Sequence, residues 1–156
     1  MSDSGGDALT LEIVREFDAT PEKLFELFGS EEHLVHWWTP SEQGHYFTTP
    51  YCRVDFREGG RWRMCLLSPT GSEYWQGGSY TLLDPPSRLE FTFQWDEKAG
   101  QPDNEMQVSI RFDGLPGGRT RMTFRQWPFL EAAQRDGHNG GWSAVFDALE
   151  SYVAAN

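Results

Sequence analysis

The sequence predicts an α+β fold in which a curved, seven-stranded antiparallel sheet wraps around a long C-terminal helix, in the order β-α-α-β6-α. Three patterns carry that reading. Seven short runs alternate apolar with polar residues, and Gly- or Pro-containing turns separate most of them. Two short helix signals lie between the first and second runs. Sustained helical periodicity comes at the end, where Trp142, Val145, Phe146, Leu149, Tyr152 and Val153 recur at three- and four-residue spacing.

Each element has its own justification. Residues 9–17 place Leu9, Leu11, Ile13, Arg15 and Phe17 on one face, and Thr10, Glu12 and Glu16 on the other. Thr20-Pro21-Glu22 then starts a helix: a capping hydroxyl, a proline at the first position and a carboxylate at the positive dipole end. Leu24, Phe25, Leu27 and Phe28 form its buried face, and Gly29 stops it. A second short helix starts at Ser30-Glu31-Glu32 and ends near Trp37-Trp38-Thr39-Pro40. After a loop through residues 41–50, Cys52, Val54 and Phe56 alternate in one strand. Trp62, Met64 and Leu66 alternate in the next, after the Gly59-Gly60 turn. Tyr74 to Leu83 is a longer strand, and its internal Gly77-Gly78 pair signals a bulge or a bend. Asp84-Pro85-Pro86 closes it. Leu89, Phe91, Phe93 and Trp95 follow, then a polar loop, then Met106, Val108, Ile110 and Phe112. A turn at residues 114–118 leads to Met122 and Phe124. The last helix either begins near Ser143 behind Gly137, Gly140 and Gly141, or runs from about Leu130 with a kink at those glycines; the second reading is preferred.

Composition narrows the function. A chain of 156 residues fits one domain, and residues 9–156 are read as that domain behind a disordered tail at 1–8. Thirteen basic against 24 acidic residues give a formal charge of −11, which repels phosphate backbones and anionic lipid heads. Neither nucleic acid nor membrane is therefore expected as a partner. The tail lacks the basic and apolar regions of a signal peptide, and no run is long enough to span a bilayer, so a cytoplasmic location is expected. Cys52 and Cys65, on neighbouring strands, are read as buried free thiols. His33 and His36 lie three apart and His45 and His138 stand alone, so no metal-ligand spacing is present. No glycine loop matches a phosphate or dinucleotide pattern, and neither a cofactor nor a catalytic residue is assigned.

The ordered motifs resemble a known family. Phe17-Asp18-Ala19-Thr20-Pro21, Trp37-Trp38-Thr39-Pro40, Gly59-Gly60-Arg61-Trp62 and Gly78-Ser79-Tyr80 come first. Asp84-Pro85-Pro86-Ser87-Arg88-Leu89, Phe91-Thr92-Phe93-Gln94-Trp95, Gly118-Arg119-Thr120 and His138-Asn139-Gly140-Gly141-Trp142 follow. Over about residues 9–154 the chain is similar to the branch of the START-type (SRPBCC) superfamily named for activator of heat-shock protein 90 ATPase homologues. That resemblance implies the helix-grip fold, and it leaves function open, because a shared fold does not fix chemistry.

A curved sheet and a straight helix cannot touch along their whole length, and the hollow between them is where a site is expected. The residues assigned to it are Trp37, Trp38, Trp62, Met64, Tyr74, Gln76, Phe93, Trp95, Met106, Phe124, Gln126, Trp142 and Phe146. Trp37 and Trp38 are read either as a lid or as core. For the other rings, core packing competes with ligand contact. Arg15, Gln76 and Gln126 fall in phase with inward apolar neighbours, so each needs a polar partner from the protein or from a ligand. The leading expectation is a binding module for a small, largely apolar molecule without covalent chemistry. One alternative is a stress-linked co-chaperone or protein-interaction domain with an exposed apolar patch at Trp37-Trp38 or Phe129-Leu130. The other is a cyclase- or hydratase-like enzyme using His36 or His138 as the proton-transfer group.

Overall fold

The computed structural model describes residues 9–39, 46–96 and 105–155. The expectations for the tail, Pro40, His45, the 97–104 loop and Asn156 lie outside the described residues. Strand β1 (Leu11–Phe17) is followed by helices α1 (Pro21–Phe28) and α2 (Glu31–Trp37). Six strands come next: β2 (Thr48–Val54), β3 (Arg61–Leu67), β4 (Glu73–Asp84), β5 (Arg88–Trp95), β6 (Met106–Leu115) and β7 (Arg119–Trp127). Helix α3 (Ala132–Ala155) ends the chain. The strands form one antiparallel sheet in the order β1-β7-β6-β5-β4-β3-β2, the helix-grip arrangement that the sequence predicts.

Local chemistry sets the element ends. The Thr20 hydroxyl accepts from the Lys23 backbone N–H at 3.2 Å, and Pro21 occupies the first position of α1. The β6–β7 turn passes through Gly117 and Gly118, whose φ values of 83° and 75° only glycine adopts without strain. Helix α3 is continuous from Ala132, so Gly137, Gly140 and Gly141 lie inside it rather than ahead of it.

The inner face of the sheet and the helices share one apolar core, from Phe17 and Leu24 to Phe124, Phe146 and Leu149. Two clamps place α3 over that face. At one edge Arg15 donates to Asp147 at 2.8 Å and Glu150 at 2.6 Å, and also to the Ser143 carbonyl. On the other flank the Tyr152 hydroxyl meets His33 Nδ1 at 2.7 Å, and the ring of His36 stacks on that of Tyr152. Arg15 therefore finds its polar partners within the protein and ties strand to helix, the first of the two alternatives open to it.

Gly77-Gly78 also differs from expectation. Pairing runs unbroken through both residues to β3, as Arg63↔Gly77 and Trp62↔Gly78, and the irregularity of β4 lies between Tyr80 and Leu82. A Cβ on Gly78 would come within 1.9 Å of the Thr92 carbonyl oxygen, and one on Gly77 within 2.7 Å of that of Trp62. The pair permits close backbone approach rather than a bulge. Cys52 and Cys65 are buried free thiols. Cys52 pairs with Met64 and Cys65 with Tyr51, so the two thiols lie on opposite faces of the sheet.

These glycines divide into two classes with opposite expected effects. Gly78→Ala should destabilise by about 1–3 kcal/mol, because the methyl meets backbone that cannot yield. Gly140→Ala should stabilise by about 1 kcal/mol, because its Cβ meets nothing within 4 Å in the middle of a helix. Urea unfolding of the two variants measures both; the same sign for both would contradict this division.

Candidate functional site

A cavity of about 430 Å³ separates the sheet from the first half of α3. Strands β3, β4 and β5 supply Leu66, Tyr74, Gln76, Phe93 and Trp95, inward positions of alternating strands. Helix α3 supplies Gln134, Gly137, His138, Gly141, Trp142 and Val145, the face generated by steps of three and four residues. Trp38, just past α2, and Phe47, just before β2, complete the wall. Tyr74 and Gly137 are solvent-exposed and mark the mouth.

Six rings make an unbroken belt along this wall. Phe47, Tyr74, Trp95, Phe93, Trp142 and Trp38 follow one another with centroid separations of 6.2, 6.5, 5.5, 6.0 and 5.1 Å. An indole in such a wall needs an acceptor for its N–H, and the protein supplies all three. Trp38 donates to Gln76 Oε1 at 3.2 Å, Trp95 to His138 Nε2 at 3.2 Å, and Trp142 to Gln126 Oε1 at 2.8 Å. The belt therefore offers carbon to the cavity, with its N–H groups already committed.

This network fixes the state of His138. Indole can only donate, so Nε2 accepts, and Nδ1 must carry the proton that it shares with Gln126 Oε1 at 3.2 Å. Burial lowers the pKa of the imidazole from 6.5 to about 4. Gln126 completes the arrangement by donating through Nε2 to Met106 Sδ at 3.6 Å. His138 lines the cavity as the enzyme alternative requires, but both ring nitrogens are occupied, which leaves no lone pair or proton for a substrate. His36 is exposed against Tyr152 and does not line the cavity.

Of the residues assigned from sequence, the structure brings Trp38, Tyr74, Gln76, Phe93, Trp95 and Trp142 to the cavity. Phe124 and Phe146 pack against Trp142 at 4.7 and 5.7 Å, and with Met106 and Gln126 they form the layer beneath the wall. Trp37 is fully buried against Phe28 and donates to the Leu27 carbonyl, so it seals the core. Trp62 and Met64 lie beyond Trp38, around a residual gap of about 10 Å³, at the limit of what one water occupies. Neither tryptophan of the Trp37-Trp38 pair is a lid. At the positions where a protein-interaction patch was expected, Trp37, Trp38 and Phe129 are buried and Leu130 is exposed.

Several lining residues escaped the sequence assignment. Leu66 continues the alternation of Trp62 and Met64 and was legible there. Gln134, Gly137 and Gly141 share a face with Trp142 by helical spacing, a signal available once the helix is extended to Ala132. Phe47 sits in a segment read as loop and gave no signal. Among the described residues no group of three or more His, Cys, Asp or Glu is placed to hold a metal ion.

Comparison with known proteins agrees with the geometry. The family model described as Activator of Hsp90 ATPase homolog 1-like protein matches residues 18–154. A solved structure from Chromobacterium violaceum is 27% identical, covers 92% of this chain and 96% of its own, and superposes with a TM-score of 0.80. The AHSA1 protein of Silicibacter pomeroyi is 24% identical over 94% and 98% of the two chains, with a TM-score of 0.81. A protein of Mycobacterium smegmatis is 23% identical over 96% and 94%, with a TM-score of 0.76. The last two likenesses concern the fold alone. The comparison with curated proteins gives no match.

The buried imidazole gives a pH prediction. Between about pH 6.5 and 4 the unfolded chain binds a proton that folded His138 refuses, so stability falls as pH is lowered through that window. The loss from this group approaches about 3 kcal/mol at the acid end. Urea unfolding at pH 7 and pH 4.5 should show a smaller pH dependence for His138→Gln than for the parent; identical dependence would exclude the assignment.

Proposed function

The chain belongs to the Activator of Hsp90 ATPase homolog 1-like protein family, and on that premise we propose that it binds a small, largely apolar, uncharged molecule in the cavity between sheet and α3, without covalent chemistry. The cavity itself carries this reading. Its volume of about 430 Å³ falls within the range of small-molecule sites, and its wall is dominated by aromatic and aliphatic carbon. Among the described residues no Asp, Glu, Lys or Arg lines it, and against these residues a charged ligand would lose its hydration without meeting a counter-charge.

The same wall supports binding rather than catalysis. Tyr74 and His138 are its titratable members among the described residues, and His138 is held neutral with both nitrogens engaged. Cys52, a thiol in the core, is not in the wall, and burial pushes its pKa up to about 12.

Native mass spectrometry of protein purified without denaturation should show an additional non-covalent mass of small-molecule size. Val145→Phe places a ring in the cavity and should abolish that adduct while retaining the fold by circular dichroism. An adduct that survives Val145→Phe, or an unliganded parent that gives no change in tryptophan fluorescence with any uncharged aromatic probe, would refute the reading.

A further inference from the structure

Two features of the wall remain unexplained by packing. The first is Gln76. It is 2% exposed, and its Oε1 is taken by Trp38. Its amide NH₂ donates to no described group, although it belongs to a residue that lines the cavity and, among the described residues, no buried side-chain polar atom is left without a partner. The free N–H bonds therefore reach the cavity rather than the core. The second feature is the turn of α3 between Gly137 and Gly141. Both line the cavity, neither has a positive φ, and a Cβ on either meets nothing within 4 Å. Glycine is the weakest helix former after proline, so neither backbone conformation nor contact with the rest of the protein accounts for it here.

Taken together these features define a shape. On one bank of the cavity Gly137 and Gly141 of α3 present no side chain, on either side of His138, and the aromatic belt forms the other bank, with the Gln76 amide NH₂ between them. We infer that the ligand, on the binding reading above, is an uncharged flat ring system bearing one carbonyl-type acceptor, seated against Gly137 and Gly141 with its acceptor on the Gln76 amide. The glycines leave room for the ring, because both line the cavity and a Cβ at either meets no atom within 4 Å. Gln76 sets the polarity: with its oxygen committed to Trp38, it offers donors only. A ligand whose buried polar group is itself a donor would face the Gln76 N–H bonds and leave both groups unsatisfied. Flat rings gain from offset or edge contacts along the belt that a flexible alkyl chain does not.

Prodan, an uncharged naphthalene with a ketone, and 2-(dimethylamino)naphthalene, the same ring without it, separate the two components in fluorescence titrations. The parent protein should bind prodan roughly three- to tenfold more tightly, as one neutral hydrogen bond provides. Gln76→Met should erase that difference while still binding the ketone-free probe, which also shows that the cavity has survived the substitution. Gln76→Glu keeps the oxygen that serves Trp38 and should lose the preference as well. Gly141→Leu, folded by circular dichroism, should weaken both probes. A ketone preference that persists in Gln76→Met, equal binding of the two probes by the parent, or undiminished binding by Gly141→Leu would overturn this inference and leave the broader ligand reading intact. Failure of the parent to bind either probe, together with no co-purifying mass, would overturn both.

Discussion

Helix α3 meets the sheet through a chain of hydrogen bonds in which Trp95 donates to His138, and His138 and Trp142 both donate to Gln126. The cavity depends on this chain. Three large rings border an empty volume, and unrestrained rings gain dispersion energy and bury carbon by collapsing into such a space. Each neutral bond contributes only about 1 kcal/mol net, but breaking one strands a buried donor or acceptor at a cost of about 1–3 kcal/mol. The polar groups therefore act as spacers that hold aromatic carbon around a hollow. The Trp38–Gln76 bond does the same on the opposite side.

Trp38 also divides the interior. On one side, around Trp62, Met64, Tyr80 and Phe91, packing is nearly complete. On the other lies the open cavity. The filled half, with α1, α2 and the close approach at Gly77-Gly78, provides the rigid floor. The half under the glycine-containing part of α3 has fewer contacts to lose. Edge clamps from Arg15 and Tyr152 hold the C-terminal half of the helix, so the two ends of α3 carry different duties: one anchors and the other borders the cavity.

Much of the fold was legible because its signals are local. Period-two runs from Leu89 to Trp95 and from Met106 to Phe112, the Thr20-Pro21 cap and the Trp142–Val153 stripe each report one element without reference to any other. The site was legible only in part, because lining a cavity is a property of three dimensions. Phe124 and Phe93 carry the same inward phase in sequence, yet one lies beneath Trp142 and the other beside the open volume. Arg15 and Gln76 were equally inward by phase, and the distance to the carboxylates of α3 separates their roles. Gly77-Gly78 read as a bulge or a bend because sequence shows missing side chains and not what occupies their place; at Gly78 it is the backbone of β5, at Gly141 no atom lies within 4 Å. Phe47 had no periodic neighbours and could not have been found.

Hydrogen exchange of the tryptophan indole protons, followed by ¹⁵N-edited NMR, tests whether protein acceptors hold the cavity wall apart. The Trp38, Trp95 and Trp142 indole protons should exchange far more slowly than free indole although their rings border an open cavity, and Gln126→Leu should accelerate exchange at Trp142. Exchange at all three as fast as in an unfolded chain would mean that the spacers do not exist.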